Sequence, residues 1–252
     1  MLELRGVVKA FGNLKAVAGV DLTIASNRIT GVIGPNGAGK TTLFNLIAGS
    51  LKPDAGEIVF AGERIDGLTP DRIFQHGLAR TFQIPRPFPR MTVIENTMLV
   101  PLRQTGERFW TNWWQPGVVA REETAGRERA VEVLTFCGLG GHLDHMAGTL
   151  SGGQQKLLEL ARVLMIDPKL ILLDEPAAGV NPTLMETLIE KILALHARGV
   201  TFLIIEHNMD LVMRLCQPIV VMAAGRVILQ GSADEIQRHP DVIDAYLGGV
   251  AA

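Results

Sequence analysis

Hydrophobic and polar positions alternate in one part of the chain and run together in another, and the two habits predict two kinds of strand. Val20-Asp21-Leu22-Thr23-Ile24 alternates, as a half-buried strand does, and Leu2 to about Val32 reads as a series of short strands with a turn at Ser26-Asn27. Glu57-Ile58-Val59-Phe60-Ala61-Gly62 begins a hairpin after the turn Lys52-Pro53-Asp54-Ala55-Gly56. Lys169-Leu170-Ile171-Leu172-Leu173 and Val200 to Ile205 are instead almost unbroken apolar runs, the pattern of parallel strands covered on both faces. Ile219 to Gln230 reads as a strand pair turned at Ala224-Gly225.

Between the strands the spacing becomes helical. Ala130, Val133, Leu134 and Cys137 fall at i, i+3, i+4 and i+7 at the end of a charged segment, Arg121 to Phe136, which Gly138 ends. Leu157, Leu160, Ala161 and Leu164 repeat that spacing, and Leu43 to Ala48 and Leu184 to Leu195 also read as helices. Thr92-x-x-Glu95 and Ser232-x-x-Glu235 are capping boxes, Thr69-Pro70 is an N-cap followed by proline, and a last short helix ends at Leu247. Leu78 to Gln83 reads as a strand, and the three prolines of Ile84 to Arg90 cannot continue it as a central one. Trp110, Trp113 and Trp114 share an irregular stretch, about Pro101 to Gly117, either as a docking patch or as a satellite cluster under a long loop. There is no internal repeat and no low-complexity segment.

Composition narrows the function classes. With 252 residues, 47% of them hydrophobic, the chain can form one large domain or a domain with a subdomain. A net charge of −2 without a basic run gives no support to nucleic-acid binding. Cys137 and Cys216 lack metal spacing and sit in apolar helical patterns, so buried reduced thiols are expected. The N-terminus lacks the pattern of a signal peptide, and no apolar run approaches the ~20 residues that span a bilayer. The expectation is a cytosolic chain whose membrane role, if any, comes through a partner.

The chemistry concentrates in Gly34-Pro35-Asn36-Gly37-Ala38-Gly39-Lys40-Thr41-Thr42, between the apolar run Ile29 to Ile33 and a helix. This is the phosphate-binding loop pattern in its strand–loop–helix context. Glycines let successive N–H groups turn inward on a phosphate, and the helix adds the positive end of its dipole. Lys40 can reach terminal phosphates and the Thr41 hydroxyl can ligate Mg²⁺. Asp174 and Glu175 end a buried strand, so Asp174 is a candidate to hold Mg²⁺ and Glu175 to polarise the attacking water. His207 can hydrogen-bond a γ-phosphate, and Gln83 can ligate Mg²⁺ or water. Ser151, Gly152, Gly153 and Gln154 open a helix as a second anion-binding terminus. Phe11 is a candidate to stack on a base, or a core residue.

In their order along the chain, these segments resemble the ATP-binding-cassette ATPases, and Leu150-Ser151-Gly152-Gly153-Gln154 is similar to that family's own signature. The resemblance spans nearly the whole chain and implies an α/β fold. Its parts would be a P-loop NTPase RecA-like core, an antiparallel β subdomain and an inserted α-helical subdomain at about residues 91–165, within one ATPase domain over 1–252. It implies ATP and Mg²⁺ as ligands and a head-to-tail pair of ATPase subunits, in which Ser151 and Gly153 act on the partner's nucleotide. Phe11 stands where the family usually has tyrosine, and Asn181 where it usually has aspartate.

Within the family, the stretches around Ser151, Asp174 and His207 look like the bacterial branched-chain amino acid importers. That implies a sister ATPase, two membrane permeases docking near Gln83 to Arg90, a periplasmic or lipid-anchored binding protein, and a place on the cytoplasmic face of the inner membrane. A lipopolysaccharide-extracting ATPase and a urea or amide importer share part of the pattern. Soluble cassette proteins usually carry two cassettes or a coiled-coil insertion, neither of which is visible here.

Overall fold

The computed structural model describes residues 1–81, 87–100 and 116–247. Two compact units divide the chain: Met1–Gln83, Lys169–Ala178 and Ile192–Ala252 form the first, and Ile84–Pro168 with Gly179–Lys191 the second.

The first unit contains two sheets. Strands β1 (Leu2–Phe11), β2 (Leu14–Ile24), β4 (Ala55–Phe60) and β5 (Glu63–Arg64) form an antiparallel sheet in the order β2-β1-β4-β5. Where several short strands are expected, two long ones form a hairpin, because Phe11↔Leu14 closes around Gly12-Asn13 and Gly12 takes φ 59°. The alternation of Val20 to Ile24 is kept: Val20, Leu22 and Ile24 are buried while Asp21 and Thr23 face solvent. The second sheet runs β10-β9-β3-β8-β7-β6, with β3 (Ile29–Ile33), β6 (Leu78–Arg80), β7 (Leu170–Asp174), β8 (Thr201–Ile205) and β9 (Ile219–Ala223) parallel and β10 (Arg226–Gly231) antiparallel to β9. Every residue of β3, β7 and β8 is buried, as the unbroken apolar runs require.

Helix α1 (Lys40–Ile47) presses Leu43, Phe44, Leu46 and Ile47 into one apolar cluster with Leu2, Leu4 and Phe60 of the first sheet and Leu172 and Leu203 of the second. Each such side chain contributes about 1.5–3 kcal/mol on burial. Around the sheets lie α2 (Pro70–Gln75), α7 (Met209–Leu215), α8 (Ala233–Arg238) and α9 (Pro240–Leu247). The Ser232 capping box forms at α8, with both reciprocal bonds in place. Thr69 takes the N-cap position of α2 without capping it. Its hydroxyl goes instead to the Asp71 carboxylate, and that bond is the main reason Asp71 sits below the usual carboxylate range.

The second unit is helical: α3 (Val93–Met98), α4 (Pro116–Phe136), α5 (Gly152–Leu164) and the start of α6 (Pro182–Ala197). Thr92 and Glu95 make the expected capping box. Ala130, Val133, Leu134 and Cys137, and likewise Leu157, Leu160, Ala161 and Leu164, are buried as their spacing predicts. Helix α4 starts before the expected Arg121 because Pro116 suits a first helical position. Asn181 Oδ1 accepts the Leu184 N–H at 2.9 Å, so the amide at this position is used as a helix cap. The tryptophans lie outside the described residues.

Both cysteines are buried and reduced. Burial pushes each thiol up to about 12, against Lys191 at Cys137 and with help from Glu206 at Cys216. An unfolded thiol releases its proton from about pH 8.5, so the stability these groups contribute is complete below that and is lost as pH rises toward the folded value. Denaturant unfolding between pH 9 and 11 should show a loss of about 1.4 kcal/mol per pH unit per thiol. The double Cys→Ala variant should lack that component of the slope.

Candidate functional site

The parallel register decides which residues meet. Val32 of β3 pairs with Ile205 of β8, and Ile205 pairs with Asp174 of β7. The segments leaving these three strands therefore emerge side by side at the carboxyl edge, where open α/β sheets bind ligands. The phosphate loop follows β3, Glu175 follows β7, and Glu206-His207 follow β8.

The loop has the shape that its glycines permit. Gly34, Gly37 and Gly39 have φ of 148°, 79° and 97°. A Cβ on Gly34 would stand 2.1 Å from the Met222 carbonyl oxygen, and one on Gly39 would stand 2.2 Å from that of Ala16. Only glycine fits either place. Lys40 is buried, and its Nζ donates to the carbonyls of Gly34 at 2.7 Å and Pro35 at 3.0 Å. Burial lowers its pKa, opposed by the nearby charges of Glu175 and Asp174.

At the acidic end, Glu175 N–H donates to Ile205 O at 2.9 Å, one residue beyond the last of β7, and Glu175 takes φ 49°. A positive φ on a glutamate costs of order 1–3 kcal/mol, a feature that clusters at functional sites. Its Oε1 lies 3.1 Å from His207 Nε2, with His207 about half exposed. Glu206 is buried beneath, accepting the N–H groups of Ala177 at 2.7 Å, His207 at 2.9 Å and Asn208 at 3.1 Å. It ties the segment after Glu175 to the one carrying His207. Asp174 is also buried, and its Oδ2 accepts from Arg80 at 2.8 Å. Arg80 donates in addition to Asn45 Oδ1 at 2.6 Å and lies over the Phe44 ring.

A cleft of about 460 Å³ brings together Phe11, Asn36 to Thr42, Glu175 and His207. Phe11 is half exposed at the hairpin tip, so the core reading for it is corrected: β1 outruns the apolar cluster there. Gly34 and Pro35 serve the loop through their carbonyls instead of lining the cleft. Gln83 lies outside the described residues. Lys15 and Ala16 also line the cleft, and neither they nor Arg80 and Glu206 stand out in the sequence, where only the charges of Arg80 and Glu206 at strand ends could signal them. Among the described residues no three His, Cys, Asp or Glu form a metal cage. Thr41 lines the cleft, whereas Asp174 lies buried outside its lining with Oδ2 paired to Arg80; a hydroxyl and a carboxylate are oxygen donors of the kind Mg²⁺ takes alongside substrate phosphates and water.

In the second unit, Ser151 is the N-cap of α5. Its Oγ accepts the Gln154 N–H at 3.3 Å, and Gln154 Oε1 accepts the Ser151 N–H at 2.9 Å. A Cβ on Gly153 would stand 2.4 Å from Leu184 Cδ1, whereas Ser151 and Gly152 are exposed.

A model of the ABC transporter family matches residues 17–178. The chain belongs to that family. It is one of the family's ATP-binding, ATP-hydrolysing cassettes, and a second model, for branched-chain amino acid ATP-binding cassette transporters, matches residues 226–252. It is 42% identical to a probable branched-chain amino acid transport ATP-binding protein of Archaeoglobus fulgidus, over 98% of this chain and 95% of the relative. It is 41% identical to the high-affinity branched-chain amino acid transport ATP-binding protein BraF of Pseudomonas aeruginosa, over 98% of each. A nucleotide-free ATP-binding cassette from an ABC transporter superposes with a TM-score of 0.84 at 38% identity, covering 98% of both chains. A dimeric cassette bound to ADP and Pi gives 0.76 at 26% identity, covering 92% of this chain and 98% of that one. Among the described residues no helix is long and apolar enough to cross a membrane.

Proposed function

We propose that this chain is the ATP-hydrolysing subunit that powers import of branched-chain amino acids through partner permeases. The observation that carries the reading is the C-terminal match to branched-chain amino acid cassette transporters, at residues 226–252, joined to the cleft at the sheet edge. Neither the lipid-export reading nor the urea or amide reading has a comparable observation behind it.

ATP is the substrate, its phosphates received by the N–H groups of the loop and by Lys40, which exchanges its bonds to Gly34 and Pro35 for phosphate oxygens. Thr41 and Asp174 would hold Mg²⁺, with Gln83 as a further ligand, and the ion would draw charge off the phosphate oxygens. Glu175 accepts the proton of the attacking water, with His207 holding its carboxylate in place and reaching the γ-phosphate. Ser151, Gly152, Gly153 and Gln154 serve the nucleotide of a second cassette in a head-to-tail pair, whose closure drives the permeases. The chain would then work at the cytoplasmic face of a bacterial inner membrane, with a sister ATPase and a periplasmic or lipid-anchored binding protein.

Base–aromatic stacking is worth about 1–3 kcal/mol, so Phe11→Ala should weaken ATP binding roughly tenfold, measured by titration calorimetry, while Phe11→Tyr should not. Gentle purification from the native membrane tests the assembly. Two permeases and a shorter sister ATPase are expected to co-purify. Isolation as a homodimer with lipid-export proteins would overturn the reading.

A further inference from the structure

Two imidazoles meet on the turn that precedes α5. The Nδ1 atoms of His142 and His145 are 3.0 Å apart, with the rings edge-on at 66°. The other ring nitrogen of His142, Nε2, lies 3.3 Å from Gln154 Nε2. Gln154 is the residue whose side chain closes the cap on Ser151.

The hydrogen bonds in this series determine one another. Because Gln154 Oε1 accepts the Ser151 N–H, the amide NH₂ is the end that faces His142. His142 Nε2 must then accept, which puts its proton on Nδ1. That Nδ1–H donates to His145 Nδ1, so His145 must be neutral and carry its own proton on Nε2. No other arrangement of protons satisfies all the contacts. A protonated Nε2 on His142 would set donor against donor at Gln154, and turning the amide over would set donor against donor at Ser151.

We propose that His142 is a positioning residue for the signature. Accepting from the Gln154 amide, it fixes the orientation in which Gln154 holds the Ser151 backbone, and His145 selects the tautomer that can do so. The inference rests on the proposed action of Ser151 and its neighbours on nucleotide. His142 touches no nucleotide in that scheme; it acts only through Gln154.

The test uses the full-length chain purified with its membrane partners. His142→Leu removes the acceptor, and ATP turnover should fall about fivefold with the affinity of the phosphate-loop cleft for ATP unchanged. His142→Gln returns a carbonyl acceptor at similar reach and should restore turnover to within about twofold. Equal losses in both variants would mean that the ring only fills space, which would overturn the proposal. Ser151→Arg separates this inference from the reading beneath it. If Ser151→Arg turns over normally, both fall; if it is inactive while His142→Leu runs at the parent rate, only the inference falls. Imidazole ¹⁵N spectra of the unaltered full-length chain provide a test that does not depend on any variant folding. They should show the proton on Nδ1 of His142 and on Nε2 of His145, and a proton on Nε2 of His142 would overturn the proposal.

Discussion

Glu175→Gln is expected to leave ATP binding intact and to slow hydrolysis by at least about a hundredfold, the lower end of what a positioned general base contributes. The glutamine keeps the length of the side chain and can still bond His207, which lies 3.1 Å from Oε1 in the parent. It cannot take a proton from water. The backbone at this position is already set at φ 49° by the Ile205 bond, so the loss should be chemical and not structural. A nucleotide titration beside a phosphate-release assay separates the two. Bound ATP that persists for hours in a closed pair of subunits is the expected signature, and normal phosphate release would remove Glu175 from the mechanism.

Arg80→Ala should cost about 3 kcal/mol of unfolding free energy, because it leaves the buried Asp174 carboxylate without its cation. Both side chains are nearly closed to solvent, at 12% and 6% exposure, so water cannot replace the lost partner. Lys40 lies close enough to be felt electrostatically, and Arg80 Nε is itself buried with no bond among the described residues, which together hold the figure to the low end of the range for a broken buried pair. Denaturant unfolding checks this. Combining Arg80→Met with Asp174→Asn should recover much of the loss, because no unpaired charge is then left inside. If the single variant is as stable as the parent, the pair does not matter to the fold.

Local patterns made much of the site legible in the sequence. The phosphate loop was readable because its strand, glycines, lysine and helix are contiguous, and the acidic pair because it ends an unbroken apolar run. Ser151 to Gln154 could be read as a helix start for the same reason. What depends on sheet register was not legible. Arg80 reaches Asp174 only because Arg80 pairs with Leu172 across β6 and β7, and nothing local encodes a contact 94 residues away. Glu206 simply follows the apolar run that ends at Ile205, and nothing local shows that its carboxylate binds three backbone N–H groups. Thr69 held its position but not its cap, since Asp71 competed for the hydroxyl. His142 and His145 gave no signal, because their meaning depends on how a short turn folds back against α5.

The most direct test of the central claim is uptake in cells whose own copy carries Glu175→Gln. Accumulation of labelled leucine, isoleucine and valine should fall to the level of a deletion strain, with the subunit still present at the membrane. Unchanged uptake of all three, together with a defect in envelope lipid, would contradict the account.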